Sequence, residues 1–298
     1  MEKVLVPIKI LVLGSTGMLG HQVVGRLMQN EKNFNVINVS YRSKLNDKTI
    51  IIDVEKDLQK LEELIDNLKP KIVINCIGVL ISESLKDQKR AEYINAHFPH
   101  ILKEICKKNK SKMIHISTDC VFSGTKGSYL ENDFTDSKTI YGKSKSKGEI
   151  IDQNNLTLRT SIIGPEIKKG GEGLLSWFLN EQNSTVKGFS KVLWSGVTTI
   201  ELAKVIEKCL TSKICGLYHV TNNEKISKYN LLKLFNNYLY FEKNIISDNT
   251  VISDKSLLDT RDELNYAIPS YTKMIEEMFA SMIDMEKYKH YKNKIKKY

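Results

Sequence analysis

The sequence predicts an α/β fold, a doubly wound parallel sheet with a smaller mixed region on its C-terminal side, and two observations carry that expectation. Short, apolar, β-branched runs alternate with helix-length stretches from Ile8 to about Ser161, the rhythm of strands joined by crossover helices on both faces. The first run, Ile8 to Leu13, ends in Gly14-Ser15-Thr16-Gly17-Met18-Leu19-Gly20, and a helix to about Asn30 follows. Glycines there let the backbone turn sharply beside a pyrophosphate, whose charge is favoured by the free N–H groups of a helix start. The spacing is G-x-x-G-x-x-G, and a bland tight turn is the alternative; its place directly after the first strand favours cofactor binding.

Phe34 to Val39 is the second expected strand. It ends in Ser40-Tyr41-Arg42 with no acidic residue, which suits a 2′-phosphate and hence NADPH; NADH stays open, as does a merely solvated Arg42. Thr49 to Ile52 is a third strand ending in Asp53, and a helix from Lys56 to Leu68 stops before Pro70. Lys71 to Asn75 is a fourth, continuing into Cys76-Ile77-Gly78, where small residues let backbone lie against a cofactor. Ser82 to about Asn109 reads as one long helix carrying Asn95 and interrupted or kinked near Pro99. Met113 to Ser117 is the fifth strand, Tyr141 to Gln153 a helix, and Leu156 to Ser161 the sixth strand. Gly14, Asp53, Gly78 and Thr118 all fall at strand carboxyl ends, where the ligand crevice of such a sheet lies.

After Gly164-Pro165 the rhythm changes. Gly170-Gly171-Glu172-Gly173 is a flexible loop, Leu174 to Asn180 a short helix with Trp177, and Val186 to Trp194 an extended segment over the crevice. Thr198-Thr199 caps a helix from Ile200 to Leu210, and Gly216 to Val220 is a last strand of the main sheet. Ser227 to Tyr240 and Tyr271 to Met285 read as amphipathic helices, and the Lys- and Tyr-rich tail from Lys287 as a solvated end. These features divide the chain into 1–163 with about 191–221, a cofactor domain, and 164–190 with 222–298, a small mixed substrate region.

The formal net charge of +10 comes from 45 basic residues, of which five are arginine and 40 lysine. Arginine is the side chain of choice for bidentate base and phosphate recognition, so nucleic acid is not an expected partner. Five cysteines without C-x-x-C spacing indicate free thiols in a reducing, cytoplasmic setting, with no metal site. No apolar run approaches membrane-spanning length.

One stretch, Lys112 to Glu149, brings chemistry to this frame. Small polar residues, Ser117 and Thr118, end a strand; a glycine-rich loop follows; then come Tyr141 and, one helical turn on, Lys145. Tyr-x-x-x-Lys alone says little: 13 tyrosines and 40 lysines give about two such pairs by chance. The chain holds three, and Tyr229/Lys233 and Tyr288/Lys292 are expected on helix surfaces. The first follows a strand-tip hydroxyl. A free tyrosine titrates near pH ~10, and a neighbouring ammonium would lower that. Thr118 could then hold a substrate oxygen while Tyr141 protonates it.

On these residues the chain resembles the extended short-chain dehydrogenase/reductases, and within them the dTDP-4-dehydrorhamnose reductase-like branch. The resemblance rests on the glycine turn, on Ser117-Thr118-Asp119-Cys120-Val121-Phe122-Ser123-Gly124, on Tyr141-Gly142-Lys143-Ser144-Lys145 with Gly148-Glu149, on Leu158-Arg159-Thr160, and weakly on Leu258-Asp259-Thr260. It implies a Rossmann-like fold, a nicotinamide cofactor and reduction of the C4 ketone of a nucleotide-activated 6-deoxy sugar, within surface-polysaccharide precursor synthesis. It also implies Thr118, Tyr141 and Lys145 as the catalytic set. Gly14, Thr16, Gly17, Met18, Leu19, Asp53, Cys76, Gly78 and Lys145 would line the cofactor, with Arg42 added from the strand end. Val121, Phe122 and Ser123 are expected nearest the sugar, with Trp177 beside it. Cys120 stands where the rhamnose enzymes usually have tyrosine, and Ile252-Ser253-Asp254-Lys255 lacks their Arg-Pro, so the sugar is open. A UDP-activated 2-acetamido-2,6-dideoxy-hexos-4-ulose is the second candidate. A non-catalytic regulatory subunit of the same branch is the rival from another class, an epimerase or dehydratase a third. A homodimer is compatible with all of these.

Overall fold

The glycine turn joins β1 (Ile8–Leu13) to α1 (Gly20–Met28) in the computed structural model, which describes residues 6–283 and 285–296. The alternation continues through β2 (Phe34–Ser40), β3 (Thr49–Ile51), α2 (Leu58–Leu68), β4 (Ile72–Asn75), α3 (Ile81–Lys86), α4 (Gln88–Glu92), α5 (Phe98–Lys108), β5 (Lys112–Thr118), α6 (Ile140–Lys147) and β6 (Leu156–Thr160). The second half adds β7 (Ile162–Ile163), α7 (Leu174–Asn180), β8 (Thr185–Trp194), β9 (Val197–Thr198), α8 (Thr199–Leu210), β10 (Gly216–His219), β11 (Ile226–Ser227), α9 (Lys228–Asn236), β12 (Asn244–Asp254) and α10 (Tyr271–Met282).

Seven strands pair in the order β10-β6-β5-β4-β1-β2-β3, every neighbour parallel. Alternation along the central strands shows why helices cover both faces. Ile10, Val12, Ile74 and Ile114 enter one core, while Leu11, Leu13, Val73 and Met113 enter the other. Apolar residues on both faces of a strand require a layer on each side. Strand order reverses between β1 and β4, so the crevice opens at their carboxyl ends, beside Gly14 and Cys76.

The helix expected from Ser82 to Asn109 is broken. It stops at Asp87, whose side chain caps α4 by accepting from the Arg90 N–H at 2.9 Å. Tyr93–His97 then form a π-helical turn. Pro99 follows directly in the first turn of α5, so the helix is interrupted where the proline led one to expect it. By contrast, α6 ends at Lys147 rather than Gln153. Gly148 packs on the Asn95 carbonyl so tightly that a Cβ there would lie 1.9 Å from that oxygen.

Val186 to Trp194 does not lie over the crevice. As β8 it is the middle strand of a separate sheet, β11-β8-β12, packed on α9, where Gly188 abuts Tyr229. A division at residue 191 would fall inside this strand.

The tail is also unlike a solvated end. Residues Glu286–Tyr291 form a 3-10 helix whose Tyr288 and Tyr291 are fully buried, and Ile295 bridges to Leu239. Tyr288 is therefore core, not helix surface, while residues 297 and 298 lie outside the described part. Among the described residues no helix is long and apolar enough to cross a membrane, and no cluster of three His, Cys, Asp or Glu could hold a metal ion.

Candidate active site

Two adjoining cavities, of about 270 and 450 Å³, form one trough along the carboxyl ends of the strands. Thr16, Gly17, Cys76, Ile77 and Gly78 line both, so the glycine turn and the end of β4 form the shared floor. Gly14 has φ +78°, a left-handed conformation, and a Cβ there would lie 3.0 Å from the Cys76 carbonyl group. At Gly20 a Cβ would lie 2.1 Å from the Gly14 oxygen, so the turn is closed to any larger residue. The first turn of α1 carries no acidic residue and no side-chain cap; the His21, Gln22 and Val23 N–H groups bond the Gly17 and Leu19 carbonyls, and among the described residues no such bond occupies the Met18 or Leu19 N–H of the turn, which leaves these two for an anion. The turn thus fits the pyrophosphate of a dinucleotide.

In the smaller cavity, Asp53 accepts from the Glu55 N–H at 3.1 Å beside Ser40, Tyr41 and Arg90. Arg42 does not line this wall. Its guanidinium lies 4.4 Å over the Tyr41 ring, in solvent. Arg90, which sequence reasoning missed, does line it and is held by Glu55 at 2.6 Å. Its position at the start of α4 gave no sequence signal.

The larger cavity gathers Met18, Leu19, Thr118, Tyr141 and Lys145. Thr118 ends β5; its Oγ1 accepts from the Cys120 N–H at 3.2 Å and lies 3.1 Å from Asp119 Oδ1. Its side chain is also within hydrogen-bonding reach of the Tyr141 phenol. Thr139 caps α6 through the Gly142 N–H at 3.0 Å, which sets where Tyr141 and Lys145 project. Buried Asn95 ties this helix to the β4 end: it exchanges two hydrogen bonds with the Val79 backbone and donates to Ser144 Oγ at 3.2 Å.

The electrostatics differ from the sequence expectation. Burial raises the Tyr141 phenol above its usual range, helped by Cys120, and no Lys145 effect opposes it. The Lys145 ammonium instead donates to the Ile116 carbonyl at 2.8 Å. Burial pushes Lys145 down to about 8, against the opposing charge of Glu149. Cys76 and Cys120 are pushed up to about 12 by burial, so both are neutral thiols. Asp119 is raised, mainly by burial, against the pull of Lys228 and Lys255.

Of the residues expected at the sugar, Val121 and Phe122 have no exposed surface. They form a small core with Tyr129 and Leu257, so neither side chain can meet a ligand. The loop folds back because Gly124 and Gly127, both at positive φ, lie against 253–255. Ser123 is engaged by Asp136 at 2.6 Å. Trp177 faces a separate shallow recess with Gly170 and Gly171. Sequence reasoning missed two carboxylates that do reach the trough, Glu166 and Glu172. Glu166 accepts from the Gly173 N–H at 2.8 Å, and Glu172 from Ser82 Oγ at 2.5 Å, so the loop crosses the trough as a strap. A carboxylate set in a run of glycines was the available signal.

Comparison with known proteins adds four findings. The family described as RmlD substrate binding domain matches residues 8–250. A dTDP-4-dehydrorhamnose reductase from Aggregatibacter actinomycetemcomitans is 26% identical over 235 residues, covering 74% of this chain and 76% of that protein. Methionine adenosyltransferase 2 subunit beta from Pongo abelii is 25% identical over 239 residues, covering 75% and 70%. Among solved structures, dTDP-4-dehydrorhamnose reductase from Bacillus anthracis in complex with NADP superposes with a TM-score of 0.77 at 21% identity, covering 93% of this chain and all of that one.

Proposed function

The chain belongs to the RmlD substrate binding domain family of extended short-chain dehydrogenase/reductases, and from that premise we propose that it is an NADPH-dependent reductase of the C4 ketone of a nucleotide-activated 6-deoxy-4-ulose sugar. The dTDP-4-dehydrorhamnose type is the first candidate, in surface-polysaccharide precursor synthesis. The observation that carries the proposal is one cavity lined by Thr118, Tyr141 and Lys145 that continues the glycine-turn trough. The NADP complex of the Bacillus anthracis reductase supports the cofactor.

NADPH, when bound, supplies a hydride to the C4 carbon. By turning its hydroxyl proton away from Asp119 Oδ1, Thr118 can donate to the ketone oxygen at the mouth of β5 and aim it at Tyr141. Burial keeps the Tyr141 phenol protonated, so it is poised to give its proton to the forming alkoxide. Lys145, its ammonium held by the Ile116 carbonyl at 2.8 Å and charged below about pH 8, lines the same cavity and is placed to hold the nicotinamide ribose. The test is loss of NADPH absorbance with dTDP-4-dehydro-6-deoxy-glucose, its epimerised form, and the UDP-activated 2-acetamido analogue. No turnover with any of them, while NADPH binds, refutes the reductase assignment.

A second reading, a regulatory subunit, draws on the relatives named as methionine adenosyltransferase 2 subunit beta. Stoichiometric capture of another enzyme by a chain without reductase activity would favour it.

A further inference from the structure

The strongest unassigned feature is the C-terminal segment, which reaches the pyrophosphate turn through a directed chain of hydrogen bonds. His21 Nδ1 lies 2.7 Å from the Gly17 carbonyl oxygen. A carbonyl accepts and never donates, so Nδ1 carries the proton and Nε2 is the acceptor. The Tyr288 hydroxyl, 2.5 Å from Nε2, therefore donates to it and in turn accepts from Gln22 Nε2 at 2.8 Å. The order is Gln22 to Tyr288 to His21 to Gly17. His21 and Tyr288 are each 1% exposed, and burial pushes His21 down to about 4, so the imidazole is neutral and this tautomer is fixed.

The Gly17 carbonyl and the Met18 N–H belong to one planar trans peptide and point in opposite directions. Anchoring the oxygen toward His21 holds the N–H away from it. Gly17 and Met18 both line the trough. The same segment grips the opposite wall. Tyr291 donates to Ser176 Oγ at 3.2 Å in the first turn of α7, directly after the strap, which the Glu166 carboxylate holds at Gly173.

We propose that Tyr288 is a positioning residue for cofactor binding, setting through His21 the peptide plane that receives the diphosphate. This rests on the proposed dinucleotide cofactor and not on the identity of the sugar. Removing the hydroxyl leaves His21 Nε2 and Gln22 unpartnered and the imidazole without its orienting donor; the Gly17 carbonyl keeps the His21 backbone N–H at 3.3 Å, so the turn loosens without opening and diphosphate affinity falls while the rest of the adenosine site is untouched.

The experiment measures dissociation constants by calorimetry for 2′-phospho-ADP-ribose, which carries the diphosphate, and 2′-AMP, which lacks it. Tyr288→Phe is expected to weaken the first about five- to tenfold, one buried hydrogen bond's worth, and the second less than about twofold. Tyr291→Phe, which alters the strap arm alone, is expected to leave both within about twofold. Equal weakening of the two probes by Tyr288→Phe, or no weakening of either, overturns the proposal. If that variant does not fold, Gln22→Leu keeps the buried tyrosine and removes the first donor; unchanged 2′-phospho-ADP-ribose binding there overturns it equally. Neither probe needs turnover, so a chain that binds both yet reduces no sugar refutes the reductase reading and leaves this one standing. Wild-type protein that binds neither probe refutes the cofactor.

Discussion

Replacing Glu149 by alanine strands a buried cation, and the size of the effect can be worked from the contacts. The Glu149 carboxylate grips Arg159 by two parallel bonds, Nε to Oε1 at 2.8 Å and Nη2 to Oε2 at 2.7 Å, with side chains 4% and 2% exposed. Breaking a buried pair from one side costs about 3–5 kcal/mol, because the remaining charge cannot reach water. Two contacts survive: Nη1 to His219 at 2.9 Å and the Phe122 ring 4.9 Å away. They place the loss at the lower end, about 3 kcal/mol, or about 6 °C in melting temperature at about 2 °C per kcal/mol for a chain of this size. Urea titration checks it: the midpoint should fall with an unchanged slope. The double variant Glu149→Leu/Arg159→Met removes both charges and should recover much of the loss. A single variant within about 1 kcal/mol of the parent, or a double variant worse than either single one, would show that the pair is not the brace described. Catalysis supplies a second readout. Glu149 raises Lys145 against burial, so Glu149→Gln should lower Lys145 below about 8.

Other expectations are narrower. Tyr141→Phe should keep NADPH binding and cut turnover about a hundred- to ten-thousandfold; near-full activity in a spectrophotometric assay removes Tyr141 from the mechanism. Because Lys145 sits at about 8 instead of 10.5, its ammonium is present below that pH and lost above it, so kcat/KM should show an alkaline limb near pH 8. The unfolded chain keeps that proton to higher pH, so the penalty this group places on folding is full below about 8 and relieved as pH rises to 10.5; a limb that tracks loss of circular dichroism would contradict the assignment. Gly14→Ala meets both a positive φ and the Cys76 carbonyl group and should cost more than about 1 kcal/mol, with weaker cofactor binding by calorimetry.

What was legible in the sequence was local. The turn after β1, the Thr118 strand tip and the Tyr141/Lys145 pair each sit in one strand-turn-helix unit, and the parallel sheet then brings their carboxyl ends together without further instruction. What was illegible depends on distant partners. Phe122 looks substrate-facing until Gly124 and Gly127 let its loop fold onto 253–257, and it becomes core stacked 4.0 Å from Tyr129. Tyr288 and Tyr291 stand among lysines that hide any apolar stripe, and a tyrosine can bury its ring while its hydroxyl finds a partner, here His21 and Ser176. The lysine effect on Tyr141 failed for a related reason. Spacing puts the two residues one turn apart, but the Ile116 carbonyl holds the ammonium.

This division bears on where substrate choice resides. The wall proposed to react is built from sheet ends whose geometry the whole fold enforces, so changing it would disturb β4, β5 and α6 together. The facing wall is the strap from Glu166 to Gly173, held by the single contacts of Glu172 to Ser82 and of Glu166 to the Gly173 N–H. Such a wall can be rewritten at little cost to stability, because no strand pairing crosses it. If the strap reads the sugar, Glu172→Gln should alter KM for the nucleotide sugar more than kcat, while Thr118 and Tyr141 continue to set the rate. Ser82→Ala, which removes the strap's anchor from the other side, should then reproduce the same KM change. A fall in kcat alone in both variants would move Glu172 to the reacting wall and leave the strap without a part in recognition.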